Sequence, residues 1–385
     1  MTERLYYHDS YLTEFRARIV DASPDHQKIY LDRTAFYPAS GGQPSDIGRL
    51  GGAGVTDVVD EDGRIAHVLS GPVSGEEVAG VIDWQRRFDH MQQHTGQHLL
   101  SAVLIELFNA PTVSFHLGAD SSTIDIERPL EPNQLRQAER RANQIVFENR
   151  PVLVSFEDSS QDLGLRKPTE REGAVRIITI QDLDRSACGG THVRGTAEAG
   201  PILIRKLDRI RGNQRLEFVC GMRAVERAQA DYTALSAIAR SFSAALDETP
   251  AMVTAHQEKL QESEKTRRRL ANELAVAKGR ELHAATAPAP DGLRKIQRRV
   301  PTITDELRAE AQSFTAAGKA VFLAVAEDPP SVLLAASSDS GINAGQVLKT
   351  ALAESGGRGG GNAAVAQGSL PTAEALQRLL GSSVL

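Results

Sequence analysis

Residues 89–103 read DHMQQHTGQHLLSAV, and two of their histidines, His94 and His98, stand four positions apart. No proline falls between Asp89 and Ala110, and Leu99, Leu100, Val103, Leu104 and Leu107 supply an apolar run. Both features predict a helix. Positions i and i+4 share one helix face, a turn apart, so two imidazoles placed this way can grip one metal ion. A histidine pair alone is a weak signal. It gains weight from residues 187–193, ACGGTHV, where Cys188 and His192 bracket Gly189, Gly190 and Thr191. Thiolate with imidazole is a zinc ligand set. Together the two half-sites offer four ligands, His94, His98, Cys188 and His192, and predict one zinc per chain.

The same residues carry a resemblance. HTGQHLL followed by CGGTHV resembles the editing domain of alanyl-tRNA synthetases and of the free-standing AlaX editing proteins. Residues 36–48, FYPASGGQPSDIG, resemble the glycine-rich loop of that family. GGRGGG at 356–361, followed by Ala366-Gln367-Gly368, is similar to the glycine-rich C-terminal domain attached to alanyl-tRNA synthetases and DHH phosphoesterases. These motifs stand in the family's order and span nearly the whole chain.

The resemblance implies an aminoacyl-tRNA deacylase. It would hydrolyse the ester joining a wrong amino acid, serine or in second place glycine, to alanine tRNA. It implies that Thr34 and Gln43 position the attacking water or the seryl hydroxyl. It further implies that Ser40, Gly41, Gly42, Thr95, Gly190, Thr191 and Arg358 contact the substrate. A site with a partner for the serine hydroxyl rejects alanine, because its own polar atoms would be left unpaired. Synthetases of the family carry an aminoacylation domain ahead of the editing domain. Here editing-type strands begin by Leu12, so editing in trans is expected.

At the metal, the helix motif is HTGQH and not HExxH. Thr95 stands where a zinc protease holds its general-base glutamate, which argues against a protease. Four filled positions point to a zinc that shapes the pocket; an open position would let it activate water.

The chain has 385 residues, enough for two or three domains, with 41% hydrophobic and 24% charged residues, as in ordinary globular proteins. No apolar run suits a membrane span, and the N-terminus does not read as a secretory signal. Two cysteines give no disulfide framework, and a cytoplasmic location is expected. Cys220, in FVCGM, reads as a small core residue. Net charge is −6, so a polyanion would have to meet local patches. Three are visible: Arg205-Lys206 with Arg209, Arg211 and Arg215; Lys265 with Arg267–Arg269; and Arg294-Lys295 with Arg298-Arg299.

The expected fold is α+β and multidomain. Residues 1–88 alternate in short runs around an Asp62-Gly63 turn and read as a small β-barrel. Residues 89–222 read as the α+β zinc-binding editing domain. Residues 223–290 are rich in helix formers and read as a helical or coiled-coil arm and linker, split at Pro250. Residues 291–385 read as a glycine-rich α/β domain, with AVFLAVAE and SVLLAASS as buried strands. In it, GGRGGG frees backbone amides to face phosphate or RNA backbone. The expected partner is mischarged tRNA(Ala), with a homodimer through the arm or the C-terminal domain, and no membrane. Three competing readings are weighed: a non-catalytic RNA-binding module with structural zinc, a zinc amidohydrolase on small molecules, and a phosphoesterase. The last lacks the Asp-His-His triplet it requires.

Overall fold

Strands of the first eighty residues alternate buried and exposed side chains, as in Glu77–Ile82, where Val78 and Ile82 point inward. Six of them close into a barrel: β1 (Glu14–Ala22), β2 (Lys28–Leu31), β3 (Gly48–Leu50), β4 (Ala53–Glu61), β5 (Arg64–Leu69) and β6 (Glu77–Ile82). Their order around it is β1-β2-β5-β4-β3-β6. Phe15, Ile29, Leu31, Phe36, Leu50 and Ile65 fill its interior. The β4–β5 turn is Asp62-Gly63, with φ of 52° and 88°, the left-handed pair that a two-residue hairpin needs. The computed structural model describes residues 1–381 apart from Arg171 and Arg211.

The predicted metal helix is α1, Trp84–Phe108. Asp83 caps it by accepting from the backbone N–H of Arg86. Its residues from His90 to Leu104 are all buried, so it is a central helix, apolar and polar by turns, rather than an amphipathic surface helix. Fully buried Arg87 ties it to the barrel. Its guanidinium pairs with Asp46 and donates to the carbonyls of Ser10 (2.7 Å) and Ala35 (2.6 Å).

Around α1 lie β7 (Thr112–Leu117), β8 (Ser122–Ile126), α2 (Pro132–Glu148), β9 (Val152–Asp158), β10 (Ala174–Ile180), β11 (Asp184–Ala187), β12 (Ile202–Ile210) and β13 (Asn213–Cys220). They form a four-stranded sheet, β12-β13-β8-β7, and a three-stranded sheet, β9-β10-β11. Leu99, Leu100 and Val103 of α1 share one core with Ile124, Ile145, Ile178 and Phe218. Cys220 is fully buried there, as its apolar surroundings suggest. It packs so closely on α1 that a Cβ at Gly96 would stand 2.1 Å from its sulfur.

The chain divides into two compact units, Met1–Ala237 and Ile238–Leu385. Helix α3 (Gly221–Ser241) crosses that division. In the second unit, α4 (Thr249–Ala285) carries Pro250 in its first turn and packs on α5 (Asp305–Ala316) where Gly279 lets the backbones meet. A five-stranded sheet follows. It comprises β14 (Arg294–Val300), β15 (Ala320–Glu327), β16 (Pro330–Ala336), β17 (Arg358–Gly361) and β18 (Val365–Ser369), in the order β14-β15-β16-β18-β17. Helices α6 (Ala344–Ser355) and α7 (Ala373–Leu380) bury Leu348, Leu352, Leu376 and Leu379. The protein is thus α+β and multidomain.

Two features differ from the sequence reading. GGRGGG is not an open anion loop: Arg358–Gly361 is an edge strand hydrogen-bonded along β18. Its glycines serve close pairing, since a Cβ at Gly359 would meet the Gln367 carbonyl oxygen at 2.4 Å. The first and third basic clusters are also partly ion-paired with acids elsewhere in the sequence. Arg205 meets Asp231, Arg215 meets Asp125, Arg298 meets Glu310 and Arg299 meets Glu327. Arg211 lies outside the described residues. Among the described residues, no helix is long and apolar enough to cross a membrane.

Candidate metal centre

The four predicted ligands come together. His94, His98, Cys188 and His192 place one ligand atom each within 4.8 Å of all the others. Cys188 Sγ is 3.5 Å from His94 Nε2 and 3.3 Å from His192 Nε2. Ligands in a tetrahedral site with bonds of 2.0–2.3 Å stand about 3.3–3.8 Å apart. The two Cys188 separations match that range, and the cluster as a whole, within 4.8 Å, could close around one metal ion. Helix α1 supplies two imidazoles. The other two ligands follow β11, in the tight turn that Gly189 and Gly190 permit. A Cβ on Gly190 would lie 2.2 Å from the His94 ring, so glycine is required there by the neighbouring ligand.

Each imidazole is held from behind at Nδ1. His94 Nδ1 donates to Gln43 Oε1 (2.8 Å), His192 Nδ1 to Thr95 Oγ1 (3.1 Å) and His98 Nδ1 to Asp184 Oδ2 (2.9 Å). With a metal bound, these Nδ1 bonds would leave all three Nε2 lone pairs as ligands, because each fixes the tautomer of its ring. Electrostatics favour the ligand form at Cys188 and His192, whereas His98 would release a proton on binding metal. Burial would raise the Cys188 thiol, but His94 and His192 hold it well below the ordinary thiol range. Burial pushes His192 down to about 3, so its imidazole is neutral. Burial also opposes charge on His98, yet its bonds to Asp184 and Cys188 outweigh that and raise it to about 9. A thiolate among imidazoles is the form that ligates metal.

The glycine loop reaches this centre through Gln43. Ser40 and Gln43 exchange backbone hydrogen bonds of 3.0 Å around Gly41 and Gly42, both at positive φ. The tip docks on β7: a Cβ at Gly42 would lie 2.4 Å from the Phe115 carbonyl oxygen. Buried Gln43 then bonds His94 and Thr191 together, its Oε1 accepting from Thr191 N (3.2 Å) and its Nε2 donating to Thr191 Oγ1 (2.8 Å). So Gln43, Thr95, Gly190 and Thr191 gather at the cluster, while Ser40, Gly41 and Gly42 are exposed at the loop tip. Thr34 is fully buried and bonds elsewhere. Its hydroxyl donates to His67 Nε2 (2.8 Å) and accepts from Phe36 N (3.1 Å). Arg358 belongs to the second unit, on the exposed edge strand β17.

Sequence reasoning missed Asp184, Arg166 and Arg176. Arg176, on β10, donates to the carbonyls of Cys188 (2.7 Å), Gly190 (2.9 Å) and Tyr7 (2.9 Å), pinning the ligand turn. A signal for Asp184 was present: Asp184, Ser186 and Cys188 alternate along β11 and its extension, which puts them on one face. A cavity of about 220 Å³ reaches His98, walled by Phe115, Arg166, Lys167 and Ser186.

Comparison with known proteins supports one assignment. Residues 175–217 match the threonyl and alanyl tRNA synthetase second additional domain, and residues 298–382 match the DHHA1 domain. The alanyl-tRNA editing protein AlaX-L of Pyrococcus horikoshii is 33% identical over 96% of this chain and 94% of its own length. AlaX-M of Methanosarcina acetivorans is 38% identical, covering 57% of this chain and 98% of its own. The alanine–tRNA ligase of Methanoregula boonei is 33% identical over 98% of this chain, which spans only 43% of that enzyme. At 33% identity to AlaX-L over nearly the full length of both chains, the chain belongs to the AlaX alanyl-tRNA editing protein family.

Proposed function

We propose that this protein is a trans-editing aminoacyl-tRNA deacylase, removing serine, and secondarily glycine, from mischarged tRNA(Ala) in the cytoplasm. The observation that carries this reading is the buried cluster of one cysteine and three histidines, tied to the glycine loop by Gln43, in a chain matching AlaX-L along nearly its full length. We assign the metal as zinc, one per chain, on the chemistry of one thiolate and three imidazoles. When bound, zinc would supply a Lewis acid that shapes the pocket and recognises the substrate's amino group.

The protein's own residues do the rest. Gln43 uses its Oε1 and one Nε2 hydrogen within the cluster. Its second Nε2 hydrogen is the donor we assign to the attacking water or the seryl hydroxyl. Thr34 has one lone pair left for discriminating serine from alanine. Thr95 and Thr191 hold the ligand geometry, Gly190 leaves room beside His94, and Ser40-Gly41-Gly42 meets the acceptor end. The ester is already activated, so orientation supplies much of the rate. Arg358 is assigned to phosphate. The four-part division at 88, 222 and 290 is proposed as functional: barrel, editing domain, arm and C-terminal domain. The arm is proposed to dimerise, since exposed Leu260 and Leu274 lie two heptads apart on α4.

Purified protein should deacylate seryl-tRNA(Ala) and spare alanyl-tRNA(Ala). Failure on every aminoacyl-tRNA would leave the non-catalytic RNA-binding reading. Equal activity on small aminoacyl esters, with no dependence on tRNA, would favour the amidohydrolase reading. Sedimentation of the full chain, with and without Leu260→Glu, tests the dimer.

A further inference from the structure

The three partners behind the metal-site imidazoles are not equivalent. Gln43 and Thr95 are neutral, whereas Asp184 is a carboxylate, only 4% exposed. It is held by three bonds: His98 Nδ1 at 2.9 Å, Ser186 Oγ at 2.9 Å and Arg166 Nε at 2.6 Å. Arg166 also donates to Ser186 Oγ at 3.1 Å, which closes the network. A buried carboxylate costs much unless it is paired and fully hydrogen-bonded, and this one is. Three anchors leave it little freedom to turn, so the imidazole it contacts is fixed as well.

We propose that Asp184 is the positioning residue of the metal centre: it locks His98 with Nε2 toward Cys188 and His192 and makes it the strongest imidazole donor. This rests on the cluster being a metal site. A carboxylate accepting the Nδ1 hydrogen adds electron density to the ring and holds one tautomer. Gln43 and Thr95 can fix a tautomer but add no charge. The centre is therefore asymmetric, with one electron-rich histidine and two ordinary ones. Arg166, from the segment between β9 and β10, restrains the carboxylate and walls the cavity that reaches His98. The anchor of the metal ligand and the wall of its approach are thus the same side chain.

The test uses the full-length protein with zinc alone, then cobalt(II) alone, as probes. Chelator competition should show zinc affinity falling about 10- to 100-fold in Asp184→Asn. Thr95→Val should cost less, and Asp125→Asn, which breaks a carboxylate–arginine pair away from the cluster, should cost nothing. At saturating cobalt, Asp184→Asn should shift the ligand-field bands while Cys188 keeps the thiolate charge-transfer band. A merely structural role would leave the spectrum of the fully loaded protein unmoved. Ser186→Ala, which removes one anchor and leaves the carboxylate, should weaken zinc in the same direction by less. Wild-type affinity and an unshifted spectrum in Asp184→Asn would overturn the role of Asp184 alone. A wild-type protein that binds no zinc would overturn the metal reading as well.

Discussion

At Gly190 an added Cβ would stand 2.2 Å from the ring of His94, while at Gly360 it would meet nothing within 4 Å. Both glycines belong to motifs that look alike in the sequence, CGGTH and GGRGGG. In the first unit the glycine makes room for a metal ligand, inside a region where every site histidine has a partner. In the second unit the motif forms an exposed edge strand, where Gly359 and Gly361 serve the pairing with β18 and Gly360 serves neither purpose. A glycine's role is set by the atom it lies against, and that atom is usually far away in sequence.

The sharpest way to break this contrast is to add one methyl group to each motif. Gly190→Ala pushes His94 off its position and should abolish stoichiometric metal binding. With the site displaced by about an ångström, deacylation should fall by about 100-fold or more. Gly360→Ala should leave metal content and activity at wild-type levels. Metal analysis and single-turnover deacylation of both variants check the pair. An active, metal-replete Gly190→Ala would remove the distinction.

Buried and exposed ion pairs extend the contrast to stability. Arg87 and Asp46 are both fully buried between the barrel and α1. Arg87→Met strands the carboxylate, and breaking such a pair costs about 3–5 kcal/mol. The Arg299–Glu327 pair has side chains 68% and 56% exposed. Arg299→Met should cost about 0–1 kcal/mol. Urea unfolding of both variants, followed by a probe in the affected unit, measures the difference. Similar losses in the two would mean that burial does not set the value of these pairs.

These cases also show what can be read from the residues alone. His94 and His98 are legible because helical period places i and i+4 together, and Cys188 and His192 because their spacing suits a turn. The barrel follows from alternation and the Asp62-Gly63 turn. The partners behind the ligands are not legible in the same way. Asp184 is 86 positions from His98, and Arg87 is 41 from Asp46. Tertiary packing alone joins them. The first basic cluster misleads in part for the same reason: the acids that pair with Arg205 and Arg215 lie 26 and 90 positions away. GGRGGG reads as a loop because its glycines suit one, yet strand pairing prevails where a partner backbone comes close.

A smaller effect should appear on acidification. Burial pushes His67 down to about 4, and its ring is bonded as the neutral form, accepting from Thr34 and donating to the Ile29 carbonyl. The unfolded chain takes up this proton near the ordinary histidine value of about 6.5, and the folded chain only near 4. Between those values the unfolded state binds more protons, so stability rises with pH and is lost as pH falls. For this group alone the loss from pH 7 to pH 5 is about 2 kcal/mol. His67→Gln should flatten that part of the profile. Parallel pH profiles for the variant and the wild type would show that His67 does not carry it.

The smallest expected effect tests whether the second unit meets RNA at all. Arg298, Arg299 and Arg308 of this unit are paired with acids, whereas Arg358 lies exposed on an edge strand whose neighbours are glycines, so a backbone phosphate can approach closely. Phosphate contacts give binding that weakens with salt, with a log–log slope of about 0.7–0.9 per contact. Arg358→Gln should therefore reduce the slope for tRNA(Ala) binding by about that amount, with zinc content unchanged. Its effect on turnover at saturating substrate should be slight, because the metal ligands and Gln43 lie in the first unit. Titrations of the full chain with tRNA across a salt series read the slope directly. An unchanged slope would mean that β17 contributes its glycines to sheet pairing and nothing to the grip on RNA. The contrast between the two motifs would then be complete, with chemistry in one and architecture alone in the other.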